Sequence, residues 1–275
     1  MQLTTVTPHP ELAPWIHHLW VFRSPLGLPG GDLRVVVPNG RHKLIVQYRN
    51  GLTAAGAGVE QRHREGEIVL VGLWEEPSII SSSQAETCTI GVELVPHGLT
   101  RFLEGDLHEI AGRIVPLEDY LGRAGRELSS RVRSAPTVEA AVDQVQGFLR
   151  ARCRARAADR SPLVDAAMGL LAGSGFRMEI NDLEKRMGYS RRHLHALFQR
   201  QVGLPPKRLA SVLAFEWLYR RFSQNKSAAL LRDDALQLFY DQSHFIRTFR
   251  RFTGFSPGRF ADLDNEFGRI FYRAR

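Results

Sequence analysis

Two short stretches hold side chains able to read a polyanion. In FYDQSHFIRTFRRFTGFSPGRF (239–260), Gln242, Ser243, His244, Arg247, Arg250 and Arg251 stand among aromatic residues. In RRHLHALFQRQVGLPP (191–206), Arg191, Arg192 and His195 stand among leucines. A glutamine can pair bidentately with adenine, and an arginine with guanine, in a DNA major groove. Arginines a turn further along neutralise phosphates, which positions a protein without specifying sequence. Phe245, Phe249 and Phe252 fall at i, i+4 and i+7, on one helical face. Gln242, Ser243, His244 and Arg247 point the other way. The aromatics hold such a helix to its domain and leave the polar residues to make outside contacts.

These stretches repeat one another. Phe198 superposes on Phe249, Gly203 on Gly254 and Pro206 on Pro257. A duplicated unit of short helix, turn, helix, Phe, Gly and Pro reads as two helix-turn-helix motifs. Each presents the N-terminal end of its second helix, which needs a cap: Ser190 in the first, Asp241 in the second. A helical joining segment of roughly 17 residues spans about 25 Å at ~1.5 Å per residue. With the width of each motif, that can set two recognition helices about one DNA turn, ~34 Å, apart.

Charge agrees with this placement. Residues 160–275 hold 20 Lys/Arg and 11 Asp/Glu, net +9, whereas residues 1–159 hold 17 and 18, net −1, of the +8 total. All the net positive charge therefore lies with the repeat, as in a polyanion-binding module beside a neutral one. The 2 cysteines, Cys88 and Cys153, lack spaced partners, so neither a disulfide framework nor a zinc module is indicated. No apolar run reaches membrane-spanning length, and MQLTTVTPHPELAPW has no basic-then-apolar leader design. A soluble cytoplasmic protein without membrane partners is expected.

The elements that position these residues divide into two kinds. VVVPNGRHKLIVQY (35–48) reads as two strands around a turn, and 67–74 and 88–95 are further strands. Gly-rich GLTAAGAGVE between them reads as a loop. APTVEAAVDQVQGFLRARCRARA (135–157) reads as a helix capped by Thr137, with Val138, Ala141, Val142, Val145, Phe148 and Leu149 on one stripe. That stripe can dimerise two chains or pack on its own barrel. The best boundary is AADRSP, and from Pro162 onward the pattern is helical. The fold class is α+β, with residues 1–134 a β-rich domain, 135–160 a helix and linker, and 161–275 a double helix-turn-helix domain able to fold alone.

The stretch from about 161 to 260 resembles the DNA-binding domain of AraC/XylS-type regulators. The residues carrying the resemblance are Ser190 to Leu194, Phe198, Gly203, Pro206, Tyr240 to Phe245, Arg247, Phe249, Gly254 and Pro257. It implies a transcription regulator that binds double-stranded DNA with both motifs. Base-facing roles follow for Arg192, His195 and Ala196, and for Gln242, Ser243, His244 and Arg247, while Ser190, Arg191, Arg250 and Arg251 complete the DNA-facing set. Three positions depart from the family pattern: Leu238 for a turn Gly, Glu184 for Ala, and Ala196 for Arg. A remodelled second turn with Leu238 buried is expected. More diffusely, HPELAPWIHHLW, VPNGRHKLIVQY and GVELVPHGLTRFL resemble the barrel or cupin-like effector half of some of these regulators. That implies control by a small-molecule effector, its ligand residues unspecified, or by dimerisation into a homodimer through this half; RNA polymerase is a further expected partner.

Other chemistries find less support. His17, His18, His42, His63 and His97 lack metal-ligand spacing, because adjacent residues on a strand face opposite ways. His193 and His195 diverge on a helix. No metal or other cofactor is expected. No nucleophile–base pair or phosphate loop indicates an enzyme, and two motifs with different base-reading side chains argue against a sequence-blind DNA binder. Trp15, Trp20 and Trp74 read as core, with lining a ligand pocket the alternative. Arg150, Arg152, Arg154 and Arg156 read as a solvated helix end, with a second DNA contact the alternative.

Overall fold

The computed structural model describes residues 1–28, 32–56, 58–82, 86–156, 162–225 and 241–273. Its first half is built on strands β1 (Gln2–Val6), β2 (Ile16–Ser24), β3 (Val35–Val36), β4 (Lys43–Arg49), β5 (Thr53–Gly56), β6 (Val59–Arg62), β7 (Ile68–Val71), β8 (Ser78–Ser81), β9 (Thr87–Leu94) and β10 (Ile114–Pro116). They form a six-stranded antiparallel sheet in the order β1-β2-β9-β4-β7-β10 and a four-stranded sheet in the order β3-β8-β5-β6. GLTAAGAGVE is therefore not a loop: β5 and β6 pair across it, Thr53 against Arg62 and Gly56 against Val59. Small side chains hid the alternation that marks a strand, while backbone pairing with β6 and β8 supplies the hydrogen bonds.

The period of two along the larger sheet sorts its two faces. Leu44, Val46, Ile68, Leu70, Ile90 and Val92 join the core that also takes in the third helix. The residues between them, Lys43, Ile45, Val69, Thr89 and Glu93, line a cavity of about 140 Å³ between the sheets. Helices α1 (Leu117–Leu121), α2 (Arg123–Ser134) and α3 (Val138–Ala155) cover the first face. Thr137 caps α3, accepting from the Ala140 N–H at 3.1 Å. The stripe from Val138 to Leu149 is buried against its own sheet, which resolves the two uses left open for it.

The second half comprises α4 (Pro162–Gly173), α5 (Ile180–Met187), α6 (Arg191–Val202), α7 (Pro206–Asn225), α8 (Gln242–Thr253), α9 (Pro257–Asp262) and α10 (Glu266–Arg273). Helix α7 serves both motifs. Its Leu209, Ala210 and Leu213 pack with α4, α5 and α6, and its Val212, Phe215, Tyr219 and Phe222 pack with α8 and α9. An apolar surface on several sides is what a helix buried between two units requires.

These two cores do not close within the helical half. Leu73 enters the first, and Val35 and Val37 enter the second. In return α10 reaches across: Phe267 stands edge-on to Phe22 at 5.3 Å and Phe271 to Trp20 at 5.0 Å. Asn265 accepts from the Val35 N–H at 2.8 Å and donates to the Val35 carbonyl at 2.9 Å. An autonomous C-terminal fragment is thus not what the packing favours, since it would expose the faces that meet Val35, Val37 and Trp20.

Candidate nucleic-acid interface

Each recognition helix is positioned by the same local devices. Ser190 caps α6, accepting from the His193 N–H at 3.3 Å, and Asp241 caps α8, accepting from the His244 N–H at 2.7 Å. Each helix ends on a left-handed glycine, Gly203 at φ +91° and Gly254 at φ +83°, a conformation that side-chain-bearing residues disfavour. Phe198 and Phe249 sit at equivalent depths, both fully buried.

Between those fixed points the polar residues face outward. Arg191, Arg192, His195 and Ala196 are exposed on α6, and Gln242, Ser243, His244, Arg247 and Arg250 are exposed on α8. Helix α7, 20 residues long, joins the units and is about 30 Å from end to end. The first helix of the second motif, Tyr240 and the expected burial of Leu238 lie outside the described residues.

Two of the expected DNA-facing arginines are engaged within the chain. Arg191 donates from Nε to Glu184 at 2.8 Å and from Nη2 to Asn181. The unusual Glu184 thus ties the start of α6 to the preceding helix. Arg251 pairs with Glu75, a carboxylate whose side chain is only 9% exposed, and the same carboxylate pairs with Arg208 in the first turn of α7. Nothing local marks Glu75 in the sequence, because its partners lie in the other half.

A family described as "Helix-turn-helix domain" matches residues 183–262. This chain carries an AraC-type helix-turn-helix domain. The AraC-type domain runs from α5 to α9 and contains every residue expected above to face DNA. A second family, described as "Domain of unknown function (DUF6597)", matches residues 4–116, the two-sheet half. No curated protein matches the chain. Among solved structures it is similar to ToxT from Vibrio cholerae O395, at 12% identity and TM-score 0.50, over 89% of this chain and 96% of that one. ToxT from the same strain bound to (E)-4-(8-methylnaphthalen-1-yl)but-3-enoic acid is similar at 11% identity and TM-score 0.51, over 95% of this chain and 99% of that one. The likeness is one of fold: a ToxT-like β-rich half of two sheets followed by a helical, AraC-type half.

The remaining side chains singled out from sequence have other places. Arg150 and Arg154 both pair with Glu11, at 2.9 and 2.6 Å, and their hydrogen bonds, that of Arg154 first, hold the Glu11 carboxyl down at about 2. Arg156 pairs with Glu104 at 2.7 Å, and Arg152 donates to the Phe102 carbonyl. This cluster fastens the end of α3 to the β-rich half. Trp15 is core, Trp20 belongs to a buried cluster with Phe22 and Phe267, and Trp20 and Trp74 also line the cavity between the sheets. Among the described residues no three His, Cys, Asp or Glu side chains converge as a metal site. Nor, among them, is any helix long and apolar enough to cross a membrane.

Proposed function

We propose that this chain is a site-specific transcription regulator whose DNA affinity is set by a small molecule bound in its β-rich half. The observation that carries the reading is the duplicated unit: two capped helices, each with polar residues exposed on its first turns and a buried Phe at the equivalent depth. Arg192 and His195 read bases from α6 beside Ala196, which offers only its methyl group. Gln242, Ser243, His244 and Arg247 read bases from α8. Ser190, Arg191, Arg250 and Arg251 position the two helices. Residues 1–134 serve as the effector domain, 135–160 as helix and linker, and 161–275 as the DNA-binding domain. The cavity between the sheets and the ligand-bound state of the ToxT fold favour a small-molecule effector. The protein acts in the cytoplasm, without catalysis of its own, pairing with a second copy on DNA and contacting RNA polymerase there.

Selection of binding sites from a random duplex pool with the full chain tests this. Arg247→Ala should cost ~1–3 kcal/mol on the selected site and relax preference at one base pair. Arg250→Ala should weaken all duplexes alike and lower the salt slope by about one. A pool that shows no enrichment, or equal loss of specificity in both variants, contradicts the assignment.

A further inference from the structure

The cavity between the two sheets has an unusual lining. Its walls are largely apolar, with Ile45, Val69 and Ile80 among them, yet two indoles also face it. Trp20 is 5% exposed, and neither its Nε1–H nor that of Trp74 has a hydrogen-bond partner among the described residues. Buried N–H groups are nearly always bonded, and an indole nitrogen can only donate. The residues that carry these donors line the space, and an acceptor bound there could satisfy them.

Charge in the lining is mixed, with Lys43, Glu76 and Glu93 all bordering the space. Lys43 and Glu93 are register partners across β4 and β9. Asn39 bridges them, accepting from Lys43 Nζ at 3.1 Å and donating to Glu93 at 3.2 Å. An anionic ligand would meet Glu93 as well as Lys43, and a cation the reverse. Size sets a third limit: at about 140 Å³ the space is close to one that holds a single benzene, about 150 Å³.

The same walls touch the DNA-binding half. Phe267, Phe271 and Tyr272 of α10 close one side of the cavity. Trp74 closes another, and the next residue is Glu75, which holds Arg208 and Arg251. An arginine paired to a buried carboxylate is not available to release counterions from DNA phosphates.

We propose that this cavity binds an uncharged, benzene-sized ring compound bearing a hydrogen-bond acceptor, and that Trp74 and Glu75 report its binding by loosening a clamp on Arg208 and Arg251. The acceptor takes the indole N–H groups, and Trp74 turns to meet it. Glu75 moves with its neighbour, and the two arginines become available to phosphate. This rests on the regulator reading above and adds to it the ligand class and the connection to DNA.

Two experiments on the full chain test it. In the first, indole N–H resonances and melting temperature are followed with acetophenone, toluene and benzoate as probes. Acetophenone should shift the Trp20 and Trp74 signals and raise the melting temperature, with toluene weaker and benzoate without effect. Trp20→Phe, which keeps a ring but loses one of the two donors, should weaken the acetophenone response toward that of toluene. Benzoate acting as well as acetophenone, or no acetophenone response, overturns the ligand class.

In the second, binding to a mixed-sequence duplex is measured against salt. Glu75→Gln should bind more tightly than the parent, with a salt slope steeper by up to about 2, one for each arginine freed. Glu60→Gln, which removes the same charge from the exposed strand β6, should leave the slope unchanged. Acetophenone should steepen the parent's slope, a readout that needs no variant to fold, and should leave that of Glu75→Gln as it is. Equal slopes for Glu75→Gln and Glu60→Gln overturn the clamp while leaving the regulator reading intact. Failure of parent and variants alike to bind duplex would sink both.

Discussion

Asn265→Ala should loosen the joint between the two halves. Asn265 is wholly buried, and its side chain completes three hydrogen bonds: from the Val35 N–H at 2.8 Å, to the Val35 carbonyl at 2.9 Å, and to the Tyr219 hydroxyl at 3.3 Å. Truncation leaves both backbone groups of Val35 without that partner. A buried polar group left unmet costs about 1–3 kcal/mol, so two of them set a range of roughly 2–6 kcal/mol. Water entering the space left by the amide recovers part of this, which places the expected loss near 3 kcal/mol. Close packing limits how far the site can collapse, because a Cβ on Gly268 would lie 2.2 Å from the same Val35 carbonyl oxygen. At about 2–4 °C per kcal/mol for chains approaching this size, the melting temperature should fall by roughly 6–12 °C. Thermal and urea unfolding of the full chain, followed by circular dichroism and tryptophan fluorescence, measures this. A loss under about 1 kcal/mol would refute the view that the tail fastens the halves through Val35.

Three further outcomes are expected. Gly203→Ala should cost about 2 kcal/mol or more, since a Cβ there meets the Leu107 carbonyl oxygen at 2.8 Å on top of left-handed strain; Gly188→Ala, at φ +70° with open space around it, should cost about 1 kcal/mol. Equal losses on melting would show that the contact between α6 and Leu107 has no energetic role. Phe249→Ala should cost about 3–5 kcal/mol in urea unfolding, and Ile246→Ala, one turn away and 38% exposed, under about 0.5 kcal/mol. Burial, with the Lys43 ammonium adding to it, pushes the His42 imidazole down to about 3. Below pH ~6.5 the unfolded chain takes up a proton that the folded chain refuses, so stability should fall as pH drops from 6.5 toward 3, by on the order of 1 kcal/mol per unit. His42→Gln should lose less between pH 7.5 and 5.5 than the parent does, and an identical loss would contradict a neutral buried His42.

The recognition helices were legible because everything that makes them is local. A cap, an apolar helix face that includes a buried Phe, and a left-handed glycine lie close together along the chain, and the chain states them twice. The hairpin of β5 and β6 was not legible, since Ala54, Ala55 and Gly56 carry no alternating pattern and pair only because β8 lies alongside. Helix α10 left a trace in Phe267 and Phe271, four residues apart, but a spacing says that a face is apolar and not what covers it. Trp20 and Trp74 were read as core, which is the ordinary place for tryptophan, and only the second sheet shows that a cavity lies beside them.

The amino-acid order by itself determined which helices face outward, how they begin and end, and where the net positive charge lies, because caps, helical periodicity and composition act over a few residues. Tertiary structure alone decided that Glu75 holds Arg251, 176 positions further on. It alone decided that Asn265 fastens Val35 and that alternate residues of β4 and β9 border one cavity. Such pairings depend on which surfaces meet, and a lone carboxylate or amide carries no local pattern that names its partner.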